Sequence, residues 1–316
     1  MKSMFNYRIS GLTVAADRPL PGAIALSTHP QHIDVHLQLS DVPERLLAPT
    51  ARGHLWEVNH REYLLNLPDV GRFYAADGAI LNFEVAPGAP PENVTPYLTG
   101  IGLGALLYQR GSIILHASAV EHKGHCIAIC APSGTGKSTL AGALCRMGCR
   151  LVSDDVTSIT LNSSDLSMPP LVQPDGRCLK LYDVAIDQLE FSARRQQAVQ
   201  TNIDKYYVEP PAALSTPCPL KAVYILRDAK SRSDAPSIAQ QTLLNSAHLL
   251  LNNSYRRKLA LAMMQQDPRL SKIKEAVLRI VPIFILTRPR DLNRLEEVAE
   301  NVFKHWSKLN ISELMN

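Results

Sequence analysis

One stretch leaves the chain little freedom of local architecture. Cys126-Ile-Ala-Ile-Cys130 is a short apolar run bounded by turn signals, the pattern of a fully buried strand. Ala131-Pro-Ser-Gly-Thr-Gly-Lys-Ser138 follows at once and cannot extend that strand, because Pro132, Gly134 and Gly136 break it. From Lys137 to about Met147 the pattern is that of an amphipathic helix, and Gly148 ends it in the usual C-terminal glycine manner. A strand, a glycine loop and a helix are thereby fixed in sequence.

That order has a chemical meaning. Gly134 and Gly136 let backbone N–H groups turn inward around phosphate oxygens, and the helix starting near Lys137 points its positive end at the same place. Lys137 can then reach β- and γ-phosphates, and the Ser138 hydroxyl can bind Mg²⁺. Ala131 stands where such loops usually carry their first glycine. The expected nucleotide contacts are Ser133, Gly134, Thr135, Gly136, Lys137, Ser138 and Thr139, with ATP and Mg²⁺ as the cofactors.

The helix leads into Cys149-Arg-Leu-Val152, a returning strand that ends at Ser153-Asp154-Asp155. One helix and one returning strand bring both strand ends to the same edge of a sheet, so the two aspartates belong beside the phosphates. Successive strand residues point opposite ways, so only one faces the metal unless the strand stops there. Two carboxylates suit phosphoryl transfer: Asp154 as a metal ligand beside Ser138, and Asp155 as acceptor of the proton from an attacking hydroxyl. The blander alternative makes Asp155 a solvated turn residue. His116 precedes the loop on the neighbouring strand, read over Ser112 to Val120; alone, such a histidine is more often a core residue than a functional one.

The flanks read as two domains, a β-rich one over 1–92 and an α/β one over 93–316. Before the loop, Tyr7 to Val14, His32 to Leu39, Leu55 to Val58, Tyr63 to Leu67, Gly71 to Tyr74 and Ala79 to Val85 alternate as short antiparallel strands. Ala86-Pro-Gly-Ala-Pro-Pro91 divides them from a helix predicted over 95–109. Gly100, Gly102 and Gly104 in that helix lack both a leading strand and the spacing of a dinucleotide loop, and read as close-packing residues. After the aspartates, strands are predicted at 156–161, 171–173, 178–182, 220–226 and 282–286. Helices are predicted at 184–196, 238–251, 255–265, 269–280 and 291–308.

The 316 residues are 46% hydrophobic and 20% charged, enough to bury a sizeable core. A net charge of +4 suits anionic ligands but is too small and scattered for nucleic acid. Met1 to Gly11 lack a signal-peptide apolar run, and no stretch approaches the ~18 apolar residues of a membrane helix, so a cytoplasmic protein without membrane contact is expected. Six cysteines, at 126, 130, 145, 149, 178 and 218, lack the short pair spacing of a zinc site and read as reduced core thiols.

Together, His116-Ala-Ser-Ala-Val120, the loop from Ala131 to Ser138, and Arg150-Leu-Val-Ser-Asp-Asp155 resemble the catalytic domain of bacterial HPr serine kinase, whose fold is related to ATP-dependent phosphoenolpyruvate carboxykinase. The resemblance implies an α/β P-loop kinase domain behind a small β-rich N-terminal domain. It matches His116, Lys137, Ser138 and Asp154 to family positions, and Asp155 to the family's proton acceptor. It covers about 45 residues. The family's glycine-rich segment after the aspartates, with its Mg²⁺-binding glutamate, has no counterpart here: that region offers Asp175-Gly-Arg177 and Lys180, and no glutamate before Glu190. The chain is in this respect more similar to divergent HPr-kinase-related proteins. These include the tailoring kinases of lasso-peptide gene clusters, which phosphorylate a serine of a ribosomal peptide precursor. The resemblance implies a peptide or small-protein acceptor and leaves a homo-oligomer open.

Arg177, Lys180 and Lys205 are the downstream cations expected to contact phosphate or acceptor, and Lys205 to Pro211 is expected as an ordered loop near the site. Two rival functions use the same residues: a small-metabolite kinase, and a nucleotide-sensing module without an acceptor.

Overall fold

The computed structural model describes residues 4–161 and 167–311 and is a mixed α/β structure. An eight-stranded sheet comes first: β1 (Phe5–Ile9), β2 (Leu12–Ala16), β3 (Val35–Leu39), β4 (Ala51–Arg52), β5 (Trp56–Val58), β6 (Glu62–Leu67), β7 (Gly71–Ala76) and β8 (Ile80–Val85). Its order is β1-β2-β3-β8-β7-β6-β5-β4, antiparallel except where β3 pairs parallel with β2 and β8. The single strand predicted over Tyr7 to Val14 is a hairpin. Ser10 and Gly11 both take positive φ (51° and 80°), a two-residue turn that reverses the chain without interrupting the alternation.

Helix α1 (Pro91–Tyr97) begins four residues before the predicted start, with proline in its first turn, where no N–H partner is needed. A π-turn over Leu98–Gly102 links it to α2 (Leu103–Gln109). The glycines there admit close neighbours. A Cβ on Gly100 would lie 2.8 Å from the Tyr255 hydroxyl, and one on Gly102 would lie 3.0 Å from Leu81. The core formed by Ile9, Val14, Phe73, Phe83, Leu98 and Leu106 is continuous with Leu259 and Met263, far along the chain.

The predicted strand over 112–120 is divided at His116 into β9 (Ile113–Leu115) and β10 (Ala117–His122). Then come β11 (His125–Cys130), α3 (Lys137–Arg146), β12 (Arg150–Ser153), β13 (Thr157–Thr160), β14 (Leu171–Val172) and β15 (Leu179–Tyr182). α4 (Asp183–Gln188) is shorter than the helix expected over 184–196. Glu190 takes a left-handed φ of 58°, and the chain returns as β16 (Arg195–Ala198), which pairs with β17 (Lys205–Val208). The long β18 (Cys218–Asp228) follows. The helix expected from 238 begins as an edge strand, β19 (Ser237–Gln240). Only after Thr242, whose hydroxyl accepts from Asn245 N, does α5 (Leu243–Asn252) start. α6 (Arg257–Gln266), α7 (Pro268–Ile280), β20 (Ile283–Arg288) and α8 (Leu295–Ile311) complete the chain.

The second sheet is built around β18, which runs parallel to β11 and β20. Its path is β12-β10-β11-β18-β14-β13-β9, with β20 and β19 branching from β18. One face carries Ile127, Ile129 and Tyr224 against Leu144 of α3 and Val302 and Trp306 of α8. The other carries Cys126, Ala128, Cys130 and Ile285 against Leu250 of α5 and Val277 of α7. Two buried faces explain the continuous apolar strands, because neither side needs polar residues. All six cysteines are unpaired and buried, and burial pushes the thiols of Cys130, Cys145 and Cys149 up to about 12. Strand direction gathers the site. β10 is antiparallel to both β11 and β12, so the start of β10 lies at the same sheet edge as the ends of β11, β12, β18 and β20.

A buried ion pair ties the parts together. The Arg177 guanidinium donates to Asp175 (2.8 Å) and to the carbonyl of Thr99 (2.7 Å), and the Ser10 hydroxyl donates to Asp175 (3.1 Å). The first sheet's hairpin turn, the π-turn and the segment after β14 thus meet at one ion pair. Burial pushes the Asp175 carboxyl up, and Arg177 opposes that only in part. Removing one partner of such a pair costs about 3–5 kcal/mol, because the other charge stays buried.

Candidate active site

The loop after β11 is held in one tightly turned shape. Gly134 and Gly136 take φ of 76° and 95°, values that a side chain disfavours. The Thr135 hydroxyl donates to the carbonyl of Pro132 (2.6 Å) and closes the turn. Two arginines at and just past the end of β20 grip the loop: Arg290 donates to the carbonyl of Gly134 (3.1 Å), and Arg288 to that of Thr135. Both are steadied by Asp228 at the end of β18 (3.8 and 3.1 Å). A peptide N–H points opposite to its carbonyl, so the amides of Thr135 and Gly136 face away from the arginines and are free to meet an anion. A cavity of about 360 Å³ lies over the loop, and Val184, Leu292 and Leu295 give it an apolar end.

Lys137, the first residue of α3, is buried at 6% exposure. Its ammonium donates to the carbonyl of Ala131 (2.9 Å) and lies 2.9 Å from Nε2 of His116. Burial lowers the pKa of this lysine, and Asp154 and Asp155 partly restore it. With Nε2 accepting from Lys137, the imidazole hydrogen sits on Nδ1, which faces the Asp155 carbonyl (3.1 Å) and carboxylate (3.2 Å). His116 is therefore a bridge between the loop lysine and the second aspartate. It can stand there because the break between β9 and β10 frees it from both ladders.

The adjacent aspartates have opposite surroundings. Asp154 is buried at 1% exposure. One of its carboxylate oxygens accepts from the hydroxyls of Ser118 (2.6 Å) and Ser138 (2.8 Å), and the other from the backbone N–H of Lys180 (2.9 Å). Asp155 keeps 26% exposure and forms an ion pair with the Lys180 ammonium at 2.8 Å. β12 ends at Ser153, and Asp155 takes a left-handed φ of 74°, so the strict alternation of a strand does not apply to the pair. Burial opposes ionisation of Asp155. The Lys180 charge and the His116 hydrogen bond outweigh it and hold the carboxyl well below the usual carboxylate range. Lys180 is raised: burial disfavours its charge, but Asp155 more than compensates.

A second cavity, of about 620 Å³, opens on the far side of Asp155. It shares His116, Ser133, Asp155, Lys180, Tyr182 and Lys205 with the first. Asp155 thus stands where the two spaces meet.

Among the expected site residues, the structure brings Ser133 to Thr139, His116, Asp154, Asp155, Lys180 and Lys205 to the first cavity. Arg177 is not brought there. Its side chain is 3% exposed and committed to Asp175 and Thr99. The segment from Lys205 is strand β17 rather than a loop, and the Lys205 ammonium lies 5.4 Å from the centre of the Tyr182 ring. Sequence reasoning missed Ser118, although it lies two residues after His116, and it missed Arg288 and Arg290. Their signal was available: Thr287-Arg-Pro-Arg290 follows a parallel strand whose end shares the loop's edge.

Ser138 Oγ and the carboxylate of Asp154 are adjacent at the start of α3. That donor set fits a Mg²⁺ ion held mainly by nucleotide phosphates and water, with the protein supplying one hydroxyl and an outer carboxylate. Among the described residues no cluster of three or more His, Cys, Asp or Glu could hold a metal by itself. No helix among them is long and apolar enough to cross a membrane.

The sequence matches no protein-family model and no curated protein. Among solved structures, the chain is similar to the Hpr(Ser) kinase/phosphatase from Coxiella burnetii. The match has 15% identity and a TM-score of 0.32, and it covers 62% of this chain and 98% of that one.

Proposed function

We propose that this protein is an ATP-dependent kinase that transfers the γ-phosphoryl group to a serine hydroxyl of a peptide or small protein. The observation that carries the proposal is the continuous chain Lys137–His116–Asp155–Lys180, set where the two cavities meet. A sensor that only bound nucleotide would need no ionised carboxylate between its phosphate loop and a second cavity.

In this reading the loop amides and Lys137 hold the β- and γ-phosphates, and the apolar end at Val184 and Leu292 takes the base. Ser138 would hold Mg²⁺, and Asp154, whose oxygens already accept three hydrogen bonds, would act on it through Ser138 or water. When bound, the ion neutralises charge on the β- and γ-oxygens. The acceptor hydroxyl enters from the second cavity and hydrogen-bonds to Asp155. Its oxygen forms a bond to the γ-phosphorus, the bond from phosphorus to the β,γ-bridging oxygen breaks, and the hydroxyl proton passes to Asp155. ADP leaves with the electron pair. The low proton affinity of Asp155 suits a group that orients the hydroxyl first and takes the proton late, as a loose transition state requires. Lys137 and Lys180 offset the negative charge on either side.

The test is Asp155→Asn assayed with radiolabelled ATP. MgATP binding is expected to persist while transfer falls by about 10²–10⁴-fold. Transfer at the wild-type rate would sink the base assignment.

A further inference from the structure

A third space, of about 570 Å³, lies against the outer strands of the first sheet. It is an apolar recess formed by Trp56, Leu65 and Leu67 with Tyr63 and Tyr97. Arg256, Arg257 and Lys258 form its polar side.

The recess is not isolated. It shares Tyr97, Arg256 and Arg257 with the second cavity, the one that ends at Asp155. The way from Asp155 to Trp56 therefore runs past one wall common to both spaces, and that wall is cationic. Lys180, Lys205, Arg256 and Arg257 line the second cavity against a single carboxylate, Asp155, which Lys180 already neutralises. Arg256 and Arg257 are exposed and take part in no ion pair with a described residue. Arg256 is held in place by the chain itself, with a left-handed φ of 49° and its guanidinium 5.8 Å from the Tyr255 ring. Tyr255 in turn packs 6.0 Å from His116.

We infer that this route is the acceptor site and that its occupant is an extended acidic peptide. The phosphorylated hydroxyl lies at Asp155, a carboxylate lies against Arg256 and Arg257, and an apolar side chain lies in the Trp56–Leu65–Leu67 recess. Charge selects the carboxylate. Length selects a peptide, because a small hydroxy acid that reaches Asp155 and the arginines leaves the recess unused. The inference rests on the kinase reading and adds to it a specificity for the acceptor and a role for the first sheet.

The test uses the full-length protein, MgATP and short single-serine peptides in which an aspartate and a leucine are moved residue by residue away from the serine. One spacing of the two is expected to be preferred, and replacing either by alanine should cost about tenfold in kcat/KM. The double variant Arg256→Glu/Arg257→Glu should raise KM for the acidic peptide at least about tenfold, leave kcat within about threefold, and turn the preference towards a lysine-bearing peptide. Equal phosphorylation of all peptides by parent and variant overturns the acceptor route and leaves the kinase reading standing. MgATP binding with label passing only to a small carboxylate-bearing metabolite, or to nothing, overturns both.

Discussion

The cavity over the phosphate loop and the cavity beyond Asp155 share six lining residues, yet they are assembled in different ways. The first is centred on one sheet edge, formed by the loop after β11, the start of α3, the end of β12, Arg288 at the end of β20 and Arg290 beyond it, with Tyr182, Val184 and Lys205 closing it. The second adds Tyr97 from α1, Val199 and Ile203, and Asn253 to Arg257 at the α5–α6 junction. The first space leans on a local strand–loop–helix unit, whereas the wall of the second draws on segments far apart in the chain. The two aspartates mark the border. Asp154 faces hydroxyls and a backbone amide, and Asp155 faces an imidazole and an ammonium.

That division can be broken by mutation. The largest effect is expected from Lys137→Met, which removes a charge from the phosphate side and the hydrogen bond that positions His116. Transfer should fall by about 10²–10³-fold, and nucleotide binding should weaken with it. If titration with a fluorescent ATP analogue shows unchanged affinity, Lys137 does not belong to the nucleotide side. Lys180→Met should act on the other side. It removes the cation that depresses Asp155, so the acid limb of the pH–rate profile should move up by about one unit or more, with MgATP affinity preserved. The sign for stability follows. Asp155 is lowered in the folded state, so its contribution is complete above the unfolded aspartate value of ~3.9. It is lost as pH falls through the lower folded value. In Lys180→Met, acid unfolding should therefore begin at higher pH, read by circular dichroism; an unmoved midpoint would count against the Lys180–Asp155 coupling. The smallest effect is expected from Arg290→Ala, an exposed side chain with one bond to the loop: about two- to fivefold in KM for ATP, and none in KM for the acceptor.

Legibility followed the same border. The loop, α3 and the aspartates could be read from the chain because each depends on residues a few positions apart. His116 could be placed because its strand pairs directly with β11. Arg177 was misjudged because its sequence neighbours give no sign of Thr99 or Ser10, the partners that bury it with Asp175. The 7–14 hairpin was missed because Ser10-Gly11 lacks the usual Asn or Asp before glycine and leaves the alternation intact. The helix read over 238–251 hid a strand, since β19 owes its conformation to pairing with β20 rather than to its own residues. The cationic and apolar walls beyond Asp155 left no motif, because they exist only after α1, β17 and the start of α6 have come together.

The grip of Arg288 and Arg290 on the loop carbonyls has a kinetic consequence. A glycine loop free in solution would have to find its anion-binding shape at each encounter, and association would be slowed by the fraction of time spent in other shapes. A loop tethered from behind to Asp228 waits in one shape. On the kinase reading, nucleotide capture would then be limited by diffusion and steering rather than by rearrangement, and any difference in affinity between ATP and ADP would fall on the rate of escape.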